Sequence, residues 1–139
     1  MVRNIGFIAC LMAVLQLSTT ALYAETIEAA SPVKGDALKG KRFFNSCLGC
    51  HAVKDGDAVR SGPHLKEVFG RKAGTLQDFR YSSALKTANF VWNEEKLDEW
   101  LKEPRTFLPG NRMTFTGLSS EQERKDLLAY MKQVTIPTE

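Results

Sequence analysis

The spacing of apolar positions along the chain changes several times, and each change marks a boundary. The opening residues run from basic (MVRN) through an apolar stretch ending at Leu17 (IGFIACLMAVLQL) to a small, weakly polar segment (STTALYA). That order predicts a secretory signal peptide over residues 1–24, cut after Ala24. Leu22, at the third place before the cut, is bulkier than such sites usually carry. The competing reading is a retained anchor over residues 5–24, since a bilayer span needs about 20 apolar residues. The polar second half of that stretch argues against it.

Residues 25–34 (ETIEAASPVK) have no period and read as a flexible leader. One domain is expected over residues 35–135. Asp36 can cap a short helix through ALKGKRFFNS, with Ala37, Gly40, Phe43 and Phe44 near one face. A helical glycine costs about 0.5–1 kcal/mol relative to alanine, which close approach of another backbone would offset. From Val53 to Asn89 the chain is rich in Gly, Ser, Asp and Pro without a long period, hence mostly loop. A loop of that length needs something large to fill the space beside it.

The helical rhythm then returns. In WNEEKLDEWLKEP, Asn93 is the cap, Glu94 and Glu95 suit the positive end, Leu97, Trp100 and Leu101 share a face, and Pro104 ends the run. LPGNRM is a turn. In SSEQERKDLLAYMKQV, Ser120 and Glu123 fit a capping box, and Leu127, Tyr130, Met131 and Val134 line one side. No alternating strand pattern and no internal repeat occurs. The expected fold is all-α: three main helices, short helices, and long loops wrapped around an internal filler.

Charge narrows the partners. The whole chain carries a formal +3; loss of Arg3 with the signal leaves 18 basic and 16 acidic residues, or +2. Nucleic acid, which calls for a basic stripe, is excluded as a partner. Losing the signal also removes Cys10, so the mature chain keeps only Cys47 and Cys50, in an oxidising compartment.

Those two cysteines stand in CLGCH with His51. Three chemistries use such a grouping. A thioredoxin-like couple belongs in a βαβ setting, which is missing, and leaves the histidine unexplained. A structural zinc site needs four ligands, and only His64 remains among soft or borderline donors. Covalent haem attachment uses both thiols and the imidazole, and it supplies the missing filler. Haem is the reading that accounts for all of it. A sixth iron ligand would then come from Met113, Met131 or His64, since Met1 and Met12 leave with the signal. Met131 lies on the apolar face of the last helix and is most simply core. His64 reads as an exposed histidine beside the His51 side of the ring. Met113 sits in a Pro-Gly turn with no helical stripe to explain it as packing.

With CLGCH, the blocks GPHLKEVFGRKAGT, FRYSSALK, WNEEKL, EPRTFLPGNRMTF and ERKDLLAYMK follow in an order and spacing that resembles the class I c-type cytochromes, the mitochondrial type and its small soluble bacterial counterparts. The resemblance runs from Gly35 to Val134. It implies a cytochrome c fold around one haem c held by two thioethers, at Cys47 and Cys50. It implies His51 as one axial ligand, oriented by the carbonyl of Pro63, and Met113 as the other. Arg71, Tyr81 and Trp92 match positions that hydrogen-bond the haem propionates, and Gly40, Phe44 and Tyr130 match a contact between the first and last helices. Leu85 departs from an asparagine that organises polar groups near the haem, and Trp100 from a tyrosine whose hydroxyl approaches the ligand sulfur.

Function follows from the ligand set. With both axial positions filled there is no open site for substrate, so the expected protein is a monomeric, periplasmic one-electron carrier rather than an enzyme. Its implied partners are a membrane cytochrome bc complex and a terminal oxidase or another acceptor, and a cleaved signal leaves no stable membrane insertion. Lys41, Arg42, Arg60, Arg105 and Arg112 match, or lie near, a positive docking ring, although Ser46, Thr106, Ser119 and Ser120 are uncharged there and Asp55 and Asp57 lie near Arg60. The competing classes are a haem enzyme, peroxidase-like or nitric-oxide-handling, in which Met113 leaves the iron, and a dedicated electron-accepting subunit of a dehydrogenase.

Overall fold

The computed structural model describes residues 34–53 and 60–136. The signal peptide, residues 25–33 of the leader, and Asp55 and Asp57 lie outside the described residues.

Among the described residues five α-helices form: α1 (Ala37–Phe44), α2 (Ser83–Thr87), α3 (Glu94–Lys102), α4 (Pro104–Phe107) and α5 (Glu121–Thr135), with a 3-10 turn at Cys47–Gly49. Among the described residues the only β pairing is an isolated bridge between Lys72 and Val91. The fold is all-α, as the periodicities required.

Local chemistry fixes the helix ends. The Asp36 carboxylate accepts from the backbone N–H groups of Leu38 and Lys39, satisfying donors that the first turn of α1 leaves free. Asn93 does the same for Lys96 in α3, and Ser120 for Glu123 in α5. α1 stops at Phe44, two residues short of the expected Ser46. There the Ser46 hydroxyl donates to the Phe43 carbonyl at 2.7 Å, and the chain tightens into the 3-10 turn. Pro104 does end α3, but it also opens α4, where its missing N–H costs nothing at the first helical position. The loop region contains α2, whose five residues are too few to set up a readable period.

α1 crosses α5 at Gly40. A β-carbon there would overlap the Asp126 carbonyl, so glycine alone allows this approach. The buried Asp126 carboxylate accepts from the Asp36 N–H at 2.7 Å and from Gln122 at 2.8 Å, which satisfies it without a cation. Phe44 meets Tyr130 edge to face with ring centroids 5.3 Å apart. On its other side α5 is tied to α3 by the buried Arg124, which pairs with Asp98 at 3.1 Å and donates to the carbonyls of Leu118 and Ser119. Arg124 therefore also fixes the end of the loop that carries Met113.

The core joins Phe44, Val68, Ala73, Trp92, Leu97, Trp100, Leu101, Leu127, Leu128 and Met131. Phe90 and Phe107 pack against this core and join its Trp92 and Trp100 in a ring-on-ring group; Trp92 and Trp100 pack edge to face at 5.4 Å. Such pairs contribute about 0.5–1.5 kcal/mol each beyond burial.

Candidate functional site

The 3-10 turn after α1 positions the cysteine–histidine group. The Cys47 carbonyl accepts from both the Cys50 and His51 N–H groups, at 3.0 and 2.8 Å. Five residues are thereby wound into one tight corner, with Cys47 half-buried and Cys50 exposed as free thiols. Burial pushes the Cys47 thiol above its usual pKa, against a hydrogen bond with Ser46, and the neighbouring Cys50 pushes the same way.

His51 is held from the opposite strand of the loop. Its Nδ1 lies 2.6 Å from the Pro63 carbonyl oxygen. A carbonyl only accepts, so Nδ1 carries the ring proton and Nε2 keeps its lone pair. Burial lowers the His51 pKa more than the bond to Pro63 raises it, and the charge of Arg71 lowers it further. The outcome is a neutral imidazole, the metal-binding form, with one orientation. Gly62 makes this geometry available. A β-carbon there would sit 2.6 Å from His51 Cε1 and 2.9 Å from the Cys50 carbonyl oxygen. Two backbone bonds, Gly62 N–H to Cys50 and Leu65 N–H to Ala52, both 2.8 Å, hold the two strands of the loop together.

Arg71 is neighboured by Trp92 through backbone pairing and by Tyr81 through its charge, three residues from separate segments. Gly70 N–H donates to the Trp92 carbonyl at 2.7 Å, and Trp92 N–H to the Arg71 carbonyl at 2.9 Å, so residues 70–73 run against 90–92. The Arg71 guanidinium donates to the carbonyls of His64 and Lys66, each at 2.9 Å. Burial lowers its pKa, opposed by Tyr81, Glu67 and Asp78. Burial raises the Tyr81 pKa, opposed by Arg71 and by the Leu76 backbone. The two groups thus feel each other's field. Tyr81 also lines an open cleft of about 430 Å³ with Gly74, Thr75, Leu76, Gln77, Phe79 and Lys86.

The three candidates for a sixth ligand separate. Met131 is 3% exposed and belongs to the core. His64 is half-buried rather than exposed, because it stands on the Gly62–Pro63 turn that folds against His51; its Nδ1 is buried without a hydrogen-bond partner. Met113 is half-buried on the irregular loop between α4 and α5, and like Cys47 it borders the core cluster without entering it.

This donor set fits a haem. Two free thiols, an imidazole with Nδ1 committed and Nε2 free, a thioether on a separate loop, and an Arg71–Tyr81 pair with Trp92 beside Arg71 along the backbone are the donor types that covalent attachment, iron ligation and propionate binding require. Leu48, Val53, Leu65, Leu85, Leu108 and Phe115, all partly buried and packed on the core, supply apolar wall. Sequence reasoning missed two residues that shape the site. Gly62 could have been suspected from its place before Pro63; Asn111, beside Met113, carried no signal apart from following Pro-Gly.

The cytochrome c family model matches residues 37–135. The chain is 43% identical over 102 residues to a cytochrome c of Chlamydomonas reinhardtii, covering 73% of this chain and 91% of that protein. It is 41% identical over 103 residues to a cytochrome c of Theileria parva, covering 73% and 89%. With a cytochrome c2 of Blastochloris viridis it shares 38% over 112 residues, covering 81% and 88%.

Proposed function

The chain belongs to the cytochrome c family and is a haem c electron carrier, and from that premise we propose that it is exported to the periplasm as a monomer, docks transiently on a membrane cytochrome bc complex, and delivers electrons to a terminal oxidase or another acceptor. The observation that supports the site assignment is the bond from His51 Nδ1 to the Pro63 carbonyl, which leaves Nε2 free to bind iron.

When bound, the haem supplies a one-electron Fe(III)/Fe(II) couple. Cys47 and Cys50 would hold it by thioethers, His51 Nε2 and the Met113 sulfur would bind its iron, and Arg71, Tyr81 and Trp92 would donate to its propionates. A neutral, soft thioether favours ferrous iron and raises the potential relative to stronger donors. With His51 and Met113 both on the iron, no position would remain for a substrate, and these residues would serve to hold one geometry through both redox states.

Export rests on the basic, apolar, small order of residues 1–24. Docking rests on Lys41, Arg42, Arg60, Arg105 and Arg112, all exposed. Complementary fields raise encounter rates for transient pairs without tight binding. The test is carbon monoxide binding by the purified ferrous holoprotein at neutral pH, together with a redox titration. A carrier resists carbon monoxide and titrates as one reversible electron; ready carbon monoxide binding with peroxide turnover would overturn the reading.

A further inference from the structure

The loop from Leu108 to Met113 is organised around one side chain. Pro109 and Gly110 make a turn closed by Asn111 N–H to the Leu108 carbonyl at 3.2 Å, with Gly110 at φ +84°, the conformation a type II turn demands at that position. The Asn111 amide then uses its whole donor set on the backbone. Nδ2 donates to the carbonyls of Pro104 and Leu108, both at 2.8 Å, while Oδ1 accepts from the Met113 N–H at 3.0 Å. The amide orientation is unambiguous, because its two carbonyl partners only accept and its N–H partner only donates.

These three bonds connect different parts of the chain. Pro104 begins α4 and Leu108 caps it, so Nδ2 adds a second donor to two carbonyls at the ends of α4 that already accept from the Leu108 and Asn111 N–H groups. The third bond fixes the backbone of Met113 itself. Residues 108–120 contain no regular structure that could do this instead. We infer that Asn111 is the positioning residue for Met113: its amide ties the methionine backbone to the end of α4 and so sets how readily the sulfur gives way to an outside ligand. This rests on Met113 being the axial ligand.

The experiment compares purified holoproteins of the parent, Asn111→Ala, Asn111→Ser, Met113→Ala and Ser120→Ala, using imidazole titration of the ferric form and the sulfur-to-iron absorption band. Asn111→Ala should bind imidazole about tenfold more tightly than the parent, the scale of one lost hydrogen bond. Asn111→Ser keeps an oxygen able to accept from the Met113 N–H and should fall between the two. Ser120→Ala removes the α5 cap and lowers general stability, yet should leave imidazole affinity unchanged. Should Asn111→Ala fail to accumulate, Asn111→Ser must still bind imidazole at least about twofold more tightly than the parent.

An Asn111 variant that melts earlier but binds imidazole like the parent would overturn the inference, as would equal affinity gains in Asn111→Ala and Ser120→Ala. Met113→Ala separates the two layers. Loss of the band there, with unchanged Asn111 variants, sinks only the role of Asn111. Retention of the band sinks the ligand assignment and this inference with it.

Discussion

Gly40 and Asp126 touch backbone to backbone where α1 crosses α5, and any β-carbon at residue 40 would overlap the Asp126 carbonyl. Alanine there would gain about 0.5–1 kcal/mol of helix propensity. It would lose more, because backbone atoms cannot step aside as a side chain can, and overpacking costs about 1–3 kcal/mol. Gly40→Ala should therefore destabilise the holoprotein by about 0.5–2 kcal/mol in a denaturant titration, the difference of those terms. Unchanged stability would mean that the helices separate without penalty.

Met113→Ala should remove the sulfur-to-iron band, admit exogenous ligands and lower the potential, while the covalent haem stays in place. Met131→Leu is the informative partner, because Met131 is core packing at 3% exposure. It should cost less than about 1.5 kcal/mol and leave the spectrum as it was. The reverse pattern would move the ligand to α5.

Glu67 is the one described non-glycine residue at positive φ, at +54°. Its N–H donates to the Thr135 carbonyl at 2.6 Å, so the backbone is held in this conformation by the end of α5. Left-handed backbone costs an L-residue about 1–2 kcal/mol, and glycine loses about 0.5–1 kcal/mol through its freer unfolded chain. Glu67→Gly should leave the protein up to about 1 kcal/mol more stable by thermal melting, with an unchanged haem spectrum. A clear loss of stability would show that the Glu67 side chain contributes more than its backbone strain costs.

Arg60 donates to the Leu48 carbonyl inside the haem-attachment turn, so reversing its charge changes structure and field together. Lys41→Glu with Arg105→Glu isolates the field. That pair should slow electron transfer to an acidic partner at low salt, with spectrum and potential nearly unchanged. Because exposed charges are screened over about 8 Å at physiological salt, the difference should close as salt rises. Equal rates across the whole salt range would remove this face from docking.

Whatever depends on near neighbours is legible in the chain alone. Helix caps at Asp36, Asn93 and Ser120 follow from side chains bonding N–H groups two or three residues away, and the apolar stripes of α3 and α5 follow from helical period. CLGCH is itself a five-residue chemical unit, so haem attachment was legible without a fold. Tertiary structure decided what depends on segments far apart in the chain. The Pro63 carbonyl reaches His51 across 12 residues, and Gly62 is needed only because that approach is so close. Arg71 and Trp92 meet through backbone pairing between two loops, which no periodicity announces. Met113 and Met131 are the same residue type, but the second is packed into the core on α5, while the backbone of the first is tied to Asn111 on a half-buried loop. Sequence patterns report which residue types can do a piece of chemistry, whereas long-range hydrogen bonds and close packing select which of them are placed to do it.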